Sequence, residues 1–256
     1  MAFRYAFKLL EMAYVVKRKK PFYIHFHLFK KTLNERQKSI LRNQFTFYNR
    51  LSERHKRLFD HRVASFIKDK DFIGRQGIEV SDEMEVLISA TAVMLTFGFR
   101  DFYIGLVSRI VIYPKAFYSN LNNEYHKGEF NPKMKTLVLS WEDFKEGYDI
   151  SNDNLNLGIH EFTHAIHLNS KKEGDVSSII FSTSFKELSL LLSQNEELRQ
   201  ELIASNYFRA YAYTNQSEFL AVIIETFIET PKQFKSEFPS IYVLVKQMLN
   251  FQIPGY

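Results

Sequence analysis

The chain has no cysteine among its 256 residues, and it has only six prolines and one tryptophan. The lack of cysteine excludes disulfide bonds, thiolate metal ligands and a cysteine nucleophile. It also fits a reducing compartment, so we expect a cytoplasmic protein. Long apolar runs are missing as well, because the mostly apolar residues 2–16 include charged side chains and are too short to span a bilayer. Since the prolines are scattered and no repeat or flexible linker divides the chain, one substantial globular domain is the simplest organisation.

Positive charge is concentrated in the N-terminal part of the chain. Residues 1–70 hold 18 Lys/Arg and 5 Asp/Glu, whereas the remainder holds 16 and 24. We therefore predict a basic N-terminal segment, residues 1–31, before a main domain of residues 32–256. Two interpretations of the segment stay open: a weak peripheral contact with a membrane, or a solvated or packed terminal helix. Nucleic acid is not an expected partner, because no recognition helix or aromatic strand module is recognisable.

The most informative motif is His160-Glu161-Phe162-Thr163-His164, which has the form H-E-x-x-H. Residues i and i+4 of an α-helix share a face, so both imidazoles can bind one metal ion, typically Zn²⁺. Glu161 could then take a proton from the attacking water and pass it to the leaving amine. Apolar neighbours predict a helix over about 155–169, capped by Asp153 or Asn154. The alternative is a surface helix with ordinary polar side chains.

A catalytic zinc site needs a third protein ligand. Ser170 stands where a three-histidine motif would place its last histidine, and His167 lies on the same helix as the first two ligands, which suits a tetrahedron poorly. A glutamate from a second helix is the usual alternative. Glu218 and Glu225 lie two helical turns apart in an apolar segment, where buried carboxylates need compensation. Glu218 could instead be a first-turn residue favoured by the helix dipole, and Glu225 a solvated residue.

Several other segments match one known family together with this motif. They are residues 34–36, 66–72, 77–80, 111–117, 139–141, 160–164, 211–222 and 238–242. In these segments the chain resembles the MtfA-like, glucose-regulated zinc metallopeptidases, which are related in fold to the protease domain of anthrax lethal factor. The zinc motif is generic, whereas Leu-Ser-Trp at 139–141 and Tyr-x-x-Thr-Asn-x-x-Glu-Phe at 211–219 are more specific.

The resemblance implies a zinc site and a role for each of its residues. His160, His164 and Glu218 would bind the metal, and Glu161 would be the catalytic base. Tyr211 matches a tyrosine at the metal of the family. Its phenol could bind zinc when substrate is absent, or it could donate a hydrogen bond to the oxyanion of the tetrahedral intermediate.

Three positions leave room for alternatives. Tyr213 is a competing tyrosine, although its simpler interpretation is a core aromatic. His167 and Arg209 stand where the family commonly has aspartates, and these changes could alter zinc affinity or the preferred charge of the substrate.

The resemblance implies a peptide or protein substrate and either aminopeptidase-like cleavage or limited endoproteolysis. It also implies contact with a transcriptional repressor in some members. The alternative function is therefore a regulatory binding protein that sequesters a transcriptional regulator and has weak or incidental peptidase activity. A purely structural zinc site is a third interpretation, and it would need a permanent fourth protein ligand.

The hydrophobic pattern predicts the remaining elements. Strands are expected at 108–113 and 135–140 with a polar hairpin or loop at 122–133, and Gly98 is expected to cap the helix 82–97. We predict an α+β, mostly helical, zincin-like fold with a small mixed β-sheet beside the active-site helix. Residues 138–140 would form either a cleft edge that pairs with an extended peptide or an internal strand. Helices are expected at 35–48, 52–70, 82–97, 183–204, 216–229 and 240–250.

Overall fold

A computed structural model describes residues 2–24, 29–119, 123–149, 154–253 and 256. The α-helices of these residues are α1 (Ala2–Arg18), α2 (Glu35–Gln44), α3 (Thr46–Asn49), α4 (Glu53–Asp69), α5 (Asp82–Leu95), α6 (Trp141–Asp149), α7 (Leu157–Lys172), α8 (Val176–Gln194), α9 (Glu196–Ala204), α10 (Gln216–Glu229), α11 (Pro231–Glu237) and α12 (Pro239–Met248). The strands are β1 (Asp71–Gly74), β2 (Arg109–Tyr113), β3 (Phe117–Ser119), β4 (Glu124–His126), β5 (Gly128–Asn131) and β6 (Thr136–Ser140), and Ala210–Tyr213 form a 3₁₀ helix.

The predicted α+β fold is confirmed, because this mostly helical chain carries a small mixed sheet. The sheet has the order β1-β2-β6-β5, in which β1, β2 and β6 run parallel and β5 runs antiparallel to β6. Strands β3 and β4 form a separate antiparallel pair. Within the described ranges, no helix is long and apolar enough to cross a lipid bilayer. The predicted boundary between residues 31 and 32 stays a prediction.

Residues 138–140 had two alternative interpretations, a cleft edge or an internal strand, and the structure decides between them. Residues 138–140 lie in β6, which pairs with β2 on one side and β5 on the other, so they form an internal strand and no cleft edge. One edge of the sheet is β1 and the other is β5, which lies inside the stretch 122–133 for which the sequence predicts a polar hairpin or loop. The pattern of β5 is weak because Phe130 is its one large apolar residue and all four of its residues are only half-buried.

The core surrounds α5, α7 and α10. Most residues of α5 and α10 are buried, including the hydroxyls of Thr91 and Thr226, which donate to backbone carbonyls of their own helices. Gly158 allows α7 to approach Phe144 closely, since a Cβ at this position would lie 2.5 Å from Cε2 of the phenylalanine ring. The packing thereby fixes the position of the helix that carries the H-E-x-x-H motif.

Most predicted helices are present, but two of them are broken. The helix predicted over 183–204 is α8 followed by α9, and Asn195 lies between them, where its side chain accepts from the N–H of Leu198 at 2.9 Å. The helix predicted over 35–48 is likewise divided at Phe45 into α2 and α3. Gly98 is not the cap of α5, because that cap is Thr96.

Candidate metal centre

The motif helix α7 begins at Asn156, whose side chain accepts a hydrogen bond from the N–H of Ile159 at 3.0 Å. The predicted cap Asn154 lies before the helix, and Asp153 lies outside the described residues. One turn into α7, the imidazoles of His160 and His164 meet edge to face, and their Nε2 atoms lie 3.1 Å apart. The i, i+4 spacing therefore brings two metal-binding nitrogens together, as predicted from the motif.

A third ligand atom comes from the first turn of α10. Asn215 caps this helix by accepting from the N–H of Glu218, which fixes the start of α10 next to α7. Oε2 of Glu218 lies 2.9 Å from Nε2 of His160, and Oε1 lies 3.5 Å from Nε2 of His164. Ligands of a tetrahedral zinc ion are separated by roughly 3.3 to 3.6 Å. The three side chains are therefore within a few tenths of an ångström of that arrangement and could hold a metal ion.

The electrostatics of this cluster favour a cation. Burial disfavours a charged imidazole, but hydrogen bonds to Glu218 and Glu225 outweigh it and raise the pKa of His160 to about 9. Burial also opposes ionisation of Glu218, yet its hydrogen bonds with His160 and His164 hold the pKa of its carboxyl well below the usual range. The site therefore has a negative potential that stabilises positive charge, as a divalent metal site requires.

A second layer of side chains orients the imidazoles. Nδ1–H of His160 donates to Oε1 of Glu225 at 2.6 Å, which leaves Nε2 free to bind a metal. Glu225 is completely buried and also accepts from Nη2 of Arg209 at 2.8 Å and from the N–H of Asn156 at 3.1 Å. The oxygen of Ser217 lies 2.9 Å from Nδ1 of His164. The outer nitrogen of each imidazole thus has a hydrogen-bond partner.

Glu161 lies in the motif between the two histidines and is buried beneath the edge strand β5. A Cβ at Gly128, the first residue of β5, would lie 2.7 Å from both Cγ and Oε1 of Glu161. Burial raises the pKa of Glu161, although positive charge on His160 and His164 opposes this shift. A glutamate with a raised pKa holds a proton more readily, which suits proton transfer near neutral pH.

The two candidate tyrosines occupy different places. The ring of Tyr211 lies 5.9 Å from the ring of His160, on the side of the cluster where Glu218 affects its phenol. Burial, followed by the charge of Glu218, raises the pKa of Tyr211 to about 12. The hydroxyl of Tyr213 instead donates to the carbonyl of Leu202 at 2.9 Å. Only Tyr211 of this pair is therefore placed beside the metal-binding cluster.

An open cleft of about 440 Å³ leads to these residues. One wall is the β4–β5 turn with Tyr125 and Gly128, and the opposite wall includes Arg209 and Tyr211. His160 and Glu161 line the cleft, so a peptide that enters it can reach the cluster.

The structure brings together the five residues to which the resemblance assigns a role at the metal: His160, Glu161, His164, Tyr211 and Glu218. It keeps His167 apart, because this side chain is 5% exposed and packs against the ring of Phe185 at 4.6 Å. The sequence analysis did not find that Glu225 contacts His160, that Ser217 contacts His164, or that Gly128 lies against Glu161. The i, i+7 spacing of Glu218 and Glu225 was the one available signal for the first of these.

Comparisons with known proteins identify the family of the chain. The family model of the glucose-regulated metallo-peptidases M90 matches residues 16–250. A Synechocystis protein, slr2042, is 23% identical over 234 residues, which cover 86% of this chain and 85% of that protein. Mlc titration factor A from Yersinia pestis and from Yersinia pseudotuberculosis is 21% identical over 198 residues, which cover 70% of this chain and 72% of each relative. The chain therefore belongs to the glucose-regulated metallo-peptidase M90 family.

Proposed function

We propose that the chain is a zinc peptidase in which His160, His164 and Glu218 bind the metal. The observation that carries the proposal is the position of Glu161, a buried carboxylate that is next to His160 in the sequence and lines the same cleft as that ligand. A protein that uses zinc only for structure has no need of such a base, and it would need a fourth protein ligand. When bound, zinc would supply Lewis-acid polarisation of the peptide carbonyl and of the attacking water.

The side chains would divide the remaining work between them. Glu161 would accept the proton of the attacking water and deliver it to the leaving amine, and the raised pKa of its carboxyl supports this role. Tyr211 would donate its phenolic hydrogen bond to the developing oxyanion, because a pKa of about 12 keeps the phenol protonated at neutral pH. Glu225 would hold the ring of His160 in place through its contact with Nδ1.

The substrate would be a peptide or protein segment in extended conformation. Among the described residues β5 pairs only with β6, so the other edge of β5 offers backbone groups to an added strand. Gly128 begins this edge directly over Glu161, so a peptide that pairs with β5 would lie near the base. The proposal includes both aminopeptidase-like cleavage and limited endoproteolysis, and the expected cytoplasmic location stays a prediction.

A second candidate function is supported by the names of the relatives. The Yersinia relatives are named Mlc titration factor A, which indicates that those proteins titrate a factor called Mlc. This chain could likewise sequester a transcriptional regulator, with peptidase activity weak or incidental. Glu161 separates the two functions, because sequestration does not require a general base.

The test compares wild type with Glu161→Gln and with Glu173→Gln, a matched control at the end of the same helix. Zinc content is measured by atomic emission, and hydrolysis is measured with aminoacyl p-nitroanilides and internally quenched peptides. We expect about one zinc per chain in all three proteins, and loss of cleavage in Glu161→Gln alone. Zinc binding without cleavage by wild type would favour the binding function, whereas absence of zinc would overturn the ligand assignment.

A further inference from the structure

The C-terminal half of helix α1 contacts the body of the protein. Glu11 forms an ion pair with Arg100, and Lys19 forms another with Glu187 at 2.5 Å. Between them Val15 is 1% exposed and packs against the first turns of α8. Glu11 and Val15 are about one helical turn apart and mark the inward face of α1, and Lys19 follows directly after the helix.

The opposite face of α1 combines exposed apolar and basic side chains. Leu10 and Val16 are 66% and 63% exposed, and Lys17 and Lys20 are exposed beside them. Helical spacing places Leu10, Val16 and Lys17 on the side of α1 away from Val15, and Lys20 follows shortly after the end of the helix. Helices that lie in the interface of a membrane also expose apolar side chains together with lysine or arginine.

The residues that follow α1 also include exposed apolar and basic side chains. Phe22 and Phe29 are 46% and 91% exposed, and Lys30 and Lys31 are exposed as well. No acidic residue occurs between Glu11 and Glu35, whereas six Lys/Arg do. The exposed side chains of residues 10–22 and 29–31 are therefore both basic and apolar.

We propose that these exposed side chains form one surface, which we call the N-terminal patch, and that this patch binds an anionic lipid bilayer. The lysines would neutralise lipid headgroups, while Leu10, Val16 and Phe29 would enter the interface between headgroups and acyl chains. A nucleic acid would satisfy the charges but would leave the aliphatic side chains without partners. The coexistence of the two kinds of side chain therefore favours lipid.

The patch is separate from the metal centre, so the inference goes beyond the proposed function. The match to the peptidase family begins at residue 16 and leaves most of α1 outside. None of the patch residues named above lines the cleft that leads to Glu161. Membrane binding would hold the peptidase near a lipid surface without changing its catalytic groups.

The experiment measures sedimentation of the full chain with vesicles. Vesicles of phosphatidylcholine with 30% phosphatidylserine are compared with vesicles of phosphatidylcholine alone. The two test variants are Lys17→Gln/Lys20→Gln, which removes charge, and Leu10→Ser/Val16→Ser, which removes apolar contact. Lys133→Gln/Lys232→Gln is the matched control, because it removes the same charge from exposed positions elsewhere. Circular dichroism and zinc content establish that each variant is folded.

We expect wild type and the control to bind the anionic vesicles and to bind neutral vesicles weakly. Each test variant should lower the vesicle partition coefficient by about tenfold or more. Failure of wild type to sediment with the anionic vesicles would overturn the proposal, as would equal binding by Leu10→Ser/Val16→Ser. Binding to a DNA duplex in place of vesicles would also overturn it and would assign the charges to nucleic acid. None of these outcomes depends on peptidase activity.

Discussion

Oε1 of Glu225 lies 2.6 Å from Nδ1 of His160, and the carboxylate that makes this contact is completely buried. Glu218 reaches Nε2 of the same ring from seven residues earlier in α10. One helix thus provides both a candidate metal ligand and the group that orients another ligand. Since imidazole ligands depend on such partners for their tautomer and angle, the two glutamates would act together on a metal ion held at this site.

Replacing Glu225 by Gln should weaken zinc binding about 10- to 100-fold, because the amide holds the ring of His160 less firmly and lowers its basicity. The measurement is competition for zinc with a chromogenic chelator. Glu229→Gln is the matched control, since this residue lies one turn further along α10 and accepts from the N–H of Asn154. Equal zinc affinity in wild type and Glu225→Gln would contradict the orienting role.

Arg209 should stabilise the fold through its ion pair with Glu225. Arg209→Ala removes one of two cationic partners of a completely buried carboxylate, the other being His160, so we expect a loss of about 2 kcal/mol in the free energy of unfolding. Adding Glu225→Gln should restore part of that loss, giving a coupling energy of about 1 kcal/mol or more. Urea unfolding in the presence of a chelator measures both quantities.

The control for this cycle is Arg42→Ala, which removes a surface ion pair with Glu35 and should cost less than about 1 kcal/mol. An additive result for Arg209 and Glu225 would mean that Arg209 contributes through packing alone. The departure from the aspartate common in the family would then have no electrostatic consequence.

Gly128→Ala should impair catalysis while leaving zinc bound. The new methyl group would lie 2.7 Å from Cγ and Oε1 of Glu161 and from Cδ1 of Leu157, and these side chains can move more easily than the backbone. A displaced base should lower kcat by about 100-fold with a smaller effect on KM. Steady-state kinetics and zinc content measure the two effects.

Gly174→Ala is the matched control, because a Cβ at that glycine meets nothing within 4 Å. If Gly128→Ala keeps full activity, catalysis does not depend on the close contact between Glu161 and β5. Loss of zinc in Gly128→Ala would show instead that the methyl group disturbs the ligands.

The sequence predicted most accurately the helices in which apolar residues recur with the helical period. The apolar period of α10 defines residues 216–229 as observed, and that of α4 places its ends within one residue. The strand β5 is not evident from the sequence because its hydrophobic pattern is weak. Its half-buried residues are stabilised by contacts with β6 and α7, which the sequence of β5 does not reveal. Gly98 was recognised as special for the wrong reason: a Cβ there would lie 2.2 Å from the carbonyl oxygen of Asn250.

The candidate site was predictable where local spacing determines it. His160 and His164 share a face of any helix, so their meeting did not depend on the rest of the fold. The spacing of Glu218 and Glu225 predicts that they share a face, but it cannot say which helix that face meets. The rotation of α10 against α7 decides this, and it is set by core packing across many residues.

Burial of His167 should make the fold less stable in acid. Burial, with a smaller effect of the charge on Lys171, lowers the pKa of His167 to about 4, whereas an unfolded chain has a histidine pKa near 6.5. The unfolded chain therefore binds more protons between these values. Stability is fully present above about pH 6.5 and falls as the pH drops toward 4, by at most about 3 kcal/mol.

His167→Phe should remove this contribution, because a phenyl ring can pack against Phe185 and does not titrate. Urea unfolding of wild type and variant is compared at pH 7.5 and pH 4.5 with a chelator present, so that metal release does not contribute. We expect the variant to lose less stability than wild type over this range, by about 1 to 3 kcal/mol. The same loss in both proteins would mean that His167 is protonated in the folded state at pH 4.5, which its 5% exposure and apolar neighbours oppose.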